Sequence, residues 1–210
     1  MDNKRLRLWL LSGAVFASTL LMCHFSLGKA QSFQVLQSAL FVAPAVWKII
    51  TFFGDGLAVA VLFPALWYMC SRKAALSLMI AWILGTAAVQ GLKNTAYKNE
   101  PRPIAWFEQV QKSPLSIPES ISMPYRYFSF PSGHTATAFS LWGIVLFFTR
   151  GNVWSIMCLS IPILVGLSRI VLMQHFPIDV GVGALIGLLS VLPAIGVYHK
   201  WMKISDSSLK

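Results

Sequence analysis

Residues 168–198, SRIVLMQHFPIDVGVGALIGLLSVLPAIGVY, decide how this chain folds. From Ile178 onward roughly 20 residues are almost wholly apolar, the length a helix needs to cross a hydrocarbon core in which backbone N–H and C=O groups find partners only within the helix. Just ahead of and inside that run stand Arg169, His175 and Asp179, ionisable groups whose desolvation at a helix mouth is costly and so points to a purpose. Pro177 suits the first helical position, where its missing N–H costs nothing. Asp179 then falls in the first turn, four residues after His175, placed to accept the imidazole Nδ1–H and leave Nε2 free as a nucleophile. The bland alternative is a satisfied interfacial pair with Arg169 as a snorkelling cation.

The rest of the chain repeats this apolar character. It has 210 residues, 56% of them hydrophobic and 11% charged, with a mean hydropathy of +0.66, which lies outside the balance of soluble domains. Apolar runs fall at 6–27, 51–70, 74–92, 134–149, 153–171 and 178–198. They predict an all-α, polytopic integral membrane bundle of six transmembrane helices, with residues 1–210 as a single membrane-embedded domain. The first run follows Lys4, Arg5 and Arg7 but no small-residue cleavage site stands out, so it reads as a retained helix. Residues 29–50, punctuated by Gln, Pro44 and Lys48, suit an interfacial or partly re-entrant helix. The long polar stretch, 93–131, reads as an external loop over the site.

The net charge of +10 comes from 17 Lys and Arg scattered between apolar runs. Without a continuous basic stripe it argues against nucleic acid and suits anionic lipid around the protein or an anionic substrate within it. With the N-terminus inside, nine of the 17 bases, among them Arg72, Lys73, Arg150 and Lys210, fall on the cytoplasmic side. Of the eight outside, three are the motif residues Lys93, Arg102 and Arg169, and five of the seven acids also lie outside. The positive-inside rule therefore favours a cytoplasmic N-terminus and brings every motif to one external face.

Two further segments join His175 there. Ser132-Gly133-His134 follows Pro131 and opens the fourth run; Ser132 is a candidate N-cap, and the free amides of the first turn, Gly133 among them, suit an anion. An ordinary capped helix with a lone His fits those residues equally well. Lys93 and Arg102-Pro103 supply further cations near the end of the third run. Two His, one Asp, three cations and a helix start would suit a phosphoryl group.

PSGH at 131–134 and SRIVLMQHFPID at 168–179, preceded by a Lys and an Arg-Pro, resemble the tripartite signature of the type 2 phosphatidic acid phosphatase superfamily. The second and third blocks match at every fixed position. The first departs: the family places six residues between its Lys and Arg-Pro, whereas here eight residues separate Lys93 from Arg102 and three separate Lys98 from it; Lys93 is preferred because it follows an apolar helix, with Lys98 as the alternative. The resemblance implies His175 as nucleophile, Asp179 as its orienting carboxylate and His134 as acid, then base. It also implies Lys93, Arg102, Ser132, Gly133 and Arg169 as phosphate-binding residues, and no cofactor or metal. The residues agree on metal, having no carboxylate cluster for Mg²⁺ and no His or Cys set at zinc spacing.

The implied activity is a membrane lipid phosphatase, working through a phosphohistidine on undecaprenyl diphosphate, phosphatidylglycerol phosphate, phosphatidic acid or lipid A. Its partners would be such a phospholipid or isoprenoid phosphate and the bilayer. The charge layout suits a bacterial inner membrane with a periplasmic or extracellular site; a eukaryotic secretory membrane is the other setting. Rival readings are a lipid-to-lipid phosphotransferase and a non-catalytic lipid-binding protein. Vanadium haloperoxidases share the phosphate-binding set but are soluble. Cys23, Cys70 and Cys158 read as core or lipid-facing residues, His24 and His199 as packing or snorkelling groups. Asp55, in Gly54-Asp55-Gly56, reads as a helix cap or a brace for the site. Trp9, Trp47, Trp67 and Trp201 suit an aromatic belt.

Overall fold

The computed structural model describes residues 3–41, 43–116, 121 and 125–207; Lys210, counted above with the inner cations, lies outside them. Eight helices follow in order: α1 Asn3–Leu40, α2 Pro44–Phe52, α3 Leu57–Met69, α4 Arg72–Thr95, α5 Pro103–Gln109, α6 Gly133–Phe148, α7 Asn152–Val171 and α8 Pro177–Ser207. No strand occurs among the described residues. Four helices, α1, α4, α7 and α8, are long and apolar enough to cross a membrane, and the bent pair α2–α3 makes a fifth if counted as one span. The remaining candidate, α6, is apolar but has 16 residues, about 24 Å at 1.5 Å per residue against a core of about 30 Å. The all-α membrane bundle stands, while helix length alone does not yield the expected six spans.

Two breaks shape the site end. In α1 the helical path is interrupted at Gly28, whose φ of 79° is a conformation that only glycine adopts without strain. Residues 29–50, expected as an interfacial or partly re-entrant helix, hold the end of α1 and most of α2. The second break is the bend of 49° between α2 and α3. Here the Leu57 N–H donates to Asp55 Oδ1 at 3.1 Å and so begins α3.

Lipid tails are as apolar as leucine, so helices in a membrane associate through close packing and buried polar contacts. The contact of α4, α6 and α8 follows that rule: Ala74, Ala81, Gly85, Ala138 and Ala184 are buried, and the Ser140 and Ser190 hydroxyls meet at 2.7 Å. Trp9 departs from the expected aromatic belt. It is 1% exposed and packs on Phe139 at a ring distance of 5.5 Å, because Gly143 leaves space that a Cβ would fill 2.8 Å from the indole.

Contacts at the two ends fix the direction of the helices. At one end Arg5 donates to the Thr149 carbonyl, and Lys73 Nζ to the Trp201 carbonyl at 3.1 Å. At the other, Lys29, just past the Gly28 break, meets Glu100 at 2.6 Å and stands 4.5 Å from the Phe176 ring centre. There Phe33, Phe107, Ile170 and Phe176 form a second apolar cluster that seats α5 against the bundle. The stretch expected as a loop thus contains a packed helix.

Candidate active site

The connection from α7 to α8 is short and wound around Arg169. Met173 takes a left-handed φ of 56°, which turns the chain back after the last helical residue. The N–H groups of Gln174 and His175 then both donate to the Arg169 carbonyl, at 2.9 and 3.1 Å. The Arg169 side chain is 7% exposed; Nη1 donates to Thr51 Oγ1 at 2.7 Å, and Nε has no hydrogen-bond partner among the described residues.

Pro177 opens α8, and Asp179, in its first turn, reaches back to accept the Phe176 N–H at 2.9 Å. This is the carboxylate half of a capping box. The same oxygen, Oδ2, accepts from Ser129 Oγ at 2.5 Å and lies 3.4 Å from His175 Nδ1. The expected Nδ1–H bond is therefore a close contact rather than a hydrogen bond, because Ser129 and the Phe176 amide already claim the oxygen. His175 is 2% exposed, with Nε2 on the far side of the ring from Asp179. Burial, followed by Arg102, Arg169, Lys93 and His134, holds its pKa well below the usual 6.5, so the imidazole is neutral.

The first block enters from α4 and the loop after it. Lys93 closes α4, is 8% exposed and donates to the Phe128 carbonyl at 2.7 Å. Lys98, its sequence alternative, is exposed in the following turn. Arg102 is 9% exposed: its Nε donates to the Tyr127 carbonyl at 3.0 Å, its Nη1 to Gln174 Oε1 at 2.5 Å, and its N–H to the Arg126 carbonyl at 2.9 Å. Burial above all presses its pKa below the usual arginine range, yet a guanidinium keeps its charge.

The second block begins α6. Ser132 stands at the N-cap position, but its hydroxyl bonds Thr135 Oγ1 at 2.9 Å and makes no cap bond, a correction to the expected role. Its own N–H donates to the Asp179 carbonyl at 2.9 Å, which joins the start of α6 to the start of α8. Gly133 opens the helix, with Val89 3.7 Å from where a Cβ would stand. His134, next along, has Nε2 3.4 Å from Asp55 Oδ2.

Two cavities flank these residues. One of about 480 Å³ is lined by Lys93, Arg102, Asn94 and the 125–128 segment; the other, about 220 Å³, lies between the α2–α3 turn and α4, lined by Gly56, Trp82, Thr86, Val89, Gly133 and His134. Gln90 borders both. Among the described residues no three of His, Cys, Asp and Glu gather as a metal site. Sequence reasoning missed Ser129, Thr51 and Gln174, neutral residues that acquire a part only through the charged groups they hold. For Ser129 the one signal was its place two residues before Pro131; Gln174 was quoted within the third block but drew no attention.

A family model described as the PAP2 superfamily matches residues 74–203. The bacitracin transport permease protein BcrC of Bacillus licheniformis is 35% identical over 84 residues, which cover 37% of this chain and 40% of that protein. The chain thus spans less than half the length of that relative. The crystal structure of LpxE from Aquifex aeolicus superposes with a TM-score of 0.66 at 26% identity, over 80% of this chain and 94% of that one.

Proposed function

Since this chain belongs to the PAP2 superfamily, we propose that it is an integral membrane phosphatase that hydrolyses a lipid phosphomonoester or diphosphate through a phosphohistidine on His175. The observation carrying this reading is the convergence of His175, Asp179 and His134 with three buried cations, Lys93, Arg102 and Arg169, at one end of an apolar bundle. So much charge in so little water suits a ligand bearing concentrated negative charge.

In the first step Asp179 steadies His175 from its Nδ1 side and Nε2 attacks phosphorus in line. As the P–N bond forms, the bond to the leaving oxygen breaks. That oxygen keeps the electron pair and takes a proton from His134. Lys93, Arg102, Arg169 and the Gly133 amide hold the non-bridging oxygens, where transition-state charge concentrates; Ser132 contributes by fastening the start of α6 to α8. Water then attacks phosphorus with His134 as base, giving phosphate and free His175. Cations and helix amides supply the charge compensation, so no metal ion is required. The cavity beside Lys93 and Arg102, lined largely by polar side chains, supports water as acceptor, and the cavity between the α2–α3 turn and α4 would take the leaving lipid.

We further infer six spans with the site on the outer face of a bacterial inner membrane. The contacts at the two ends of α6, Arg5 with Thr149 and Asp55 with His134, support a full crossing by this short helix. The phosphates of undecaprenyl diphosphate, phosphatidylglycerol phosphate, phosphatidic acid and lipid A are the substrates to test. Purified protein in detergent with EDTA is expected to release phosphate from at least one of them, and His175→Ala to lose that release. Release untouched by His175→Ala, or requiring added metal, would overturn the mechanism.

A further inference from the structure

In the turn that leads into α3, Asp55 commits only one of its two carboxylate oxygens to the backbone. Oδ1 takes the Leu57 N–H at 3.1 Å, while Oδ2 faces His134 Nε2 at 3.4 Å, ion-pair distance. The turn that presents this carboxylate is fastened to the site from three sides. Arg169 donates to Thr51 Oγ1 at 2.7 Å, and the Trp142 indole donates to the Phe53 carbonyl at 3.2 Å. At Gly54 a Cβ would stand 2.6 Å from the His134 carbonyl oxygen and 2.5 Å from Val165 Cγ1. Capping a 13-residue helix requires none of these contacts; they do hold Asp55 in register with the first turn of α6.

We propose that Asp55 is a positioning residue for His134: by engaging Nε2 it fixes the ring so that Nδ1 faces the leaving oxygen, and its charge favours the protonated imidazole. The inference rests on the reading of His134 as proton donor. The charged groups of the surrounding site are Arg102, Arg169 and Lys93, and neutral His175 lies opposite; Asp179 is engaged by Ser129 and the Phe176 amide. Asp55 is therefore the carboxylate that can offset those cations where His134 sits. During the first step a proton passes from His134 Nδ1 to the departing oxygen, and Asp55 touches neither reacting atom.

A proton donor matters most when the leaving group is poor. The discriminating experiment compares kcat/KM, which reports the step that expels the leaving group, on phosphatidic acid, with an alkoxide to protonate, and on p-nitrophenyl phosphate, whose phenolate leaves unaided. Asp55→Asn and Asp55→Ser both keep a side-chain oxygen that can accept the Leu57 N–H. Each is expected to lose about 10- to 30-fold on phosphatidic acid and less than about threefold on p-nitrophenyl phosphate, below the roughly 100-fold or more of losing a general acid outright because His134 remains and both partners are partly exposed, 34% and 42%. Asp55→Glu should recover part of the loss, and His134→Ala should show the same selectivity more strongly. Retained hydrolysis of the aryl ester shows that a variant is folded. Equal losses on both substrates, or none on either, with wild type active, would refute the role of Asp55 and leave the phosphatase reading intact. If the wild type does not hydrolyse phosphatidic acid, the comparison takes whichever of the four lipids it does hydrolyse; a wild type inactive on all four and on the aryl ester would remove that reading and the proposal with it.

Discussion

His175 is neutral because it is buried among cations, and neutrality is what an attacking imidazole requires. It also carries a stability signature. The folded chain holds the His175 pKa well below 6.5, so below about pH 6.5 the unfolded chain binds a proton that the folded chain refuses, and stability falls as pH falls. For one such site the slope approaches about 1.4 kcal/mol per pH unit. Thermal midpoints in detergent from pH 7.5 to 5 should drop less steeply in His175→Asn than in wild type; parallel curves would mean that His175 is protonated in the folded state. Arg169 makes a second residue-scale case. Its guanidinium spans Thr51 with Nη1 and leaves Nε without a partner, a fork that an ammonium cannot reproduce. Arg169→Lys should therefore lower kcat by roughly 100-fold or more, the scale of losing one preorganised donor, with little change in thermal midpoint; kcat within about threefold of wild type would argue that only the charge matters. These charged residues were legible in the sequence because ionisable groups at the ends of apolar runs stand out. Thr51, Ser129 and Gln174 were not, since hydroxyl and amide side chains are common in any polar segment and only the fold brings them to a charge.

The elements place those residues by how they end and break. In α7 the left-handed Met173 stops the helix and winds Gln174 and His175 back to the Arg169 carbonyl, so the proposed nucleophile and a proposed phosphate-binding cation share one turn. The start of α8 was readable from Pro177 and Asp179, whose chemistry is local to one helical turn. The stop at Met173 was not, because methionine has no preference for a left-handed φ and adopts it under tertiary constraint. Gly54-Asp55-Gly56 could be seen as a break but not as a brace, since the bracing partners His134, Trp142 and Val165 are remote in sequence. Gly54→Ala tests this element. The added Cβ would meet the His134 carbonyl and Val165 at 2.6 and 2.5 Å, and overpacking of this kind costs about 1–3 kcal/mol. Both a lower thermal midpoint and a loss of phosphatase activity are expected, and a fully active, equally stable variant would show that the turn is free to move away from α6.

Across the whole molecule, charge is sorted between two ends of an apolar body. Arg5, Arg72 and Lys73 cluster at the end carrying Thr149 and Trp201, while Lys93, Arg102, Arg169 and the carboxylates that balance them lie at the other. The overall class was plain from apolar runs of about 20 residues, the length of a spanning helix and twice that of a barrel strand, because backbone groups in lipid must find partners within the protein. The number of crossings was less plain: hydropathy measures apolar length, and α6 gains its place by burial against α4, α7 and α8 rather than by length. A topology measurement separates the alternatives. Cys70 is exposed and lies between α3 and α4, at the end away from the site; Cys158 is buried. Lys98 is exposed on the site side, in the turn after α4. In intact spheroplasts of cells making the Lys98→Cys variant, a membrane-impermeant maleimide should label the introduced thiol and spare Cys70, with Cys70 labelled once the membrane is opened. If Cys70 reacts first and the introduced thiol is protected, the site faces the cytoplasm and its lipid is drawn from the inner leaflet. If both react from outside, α4 does not cross, and a bundle of six spans is untenable.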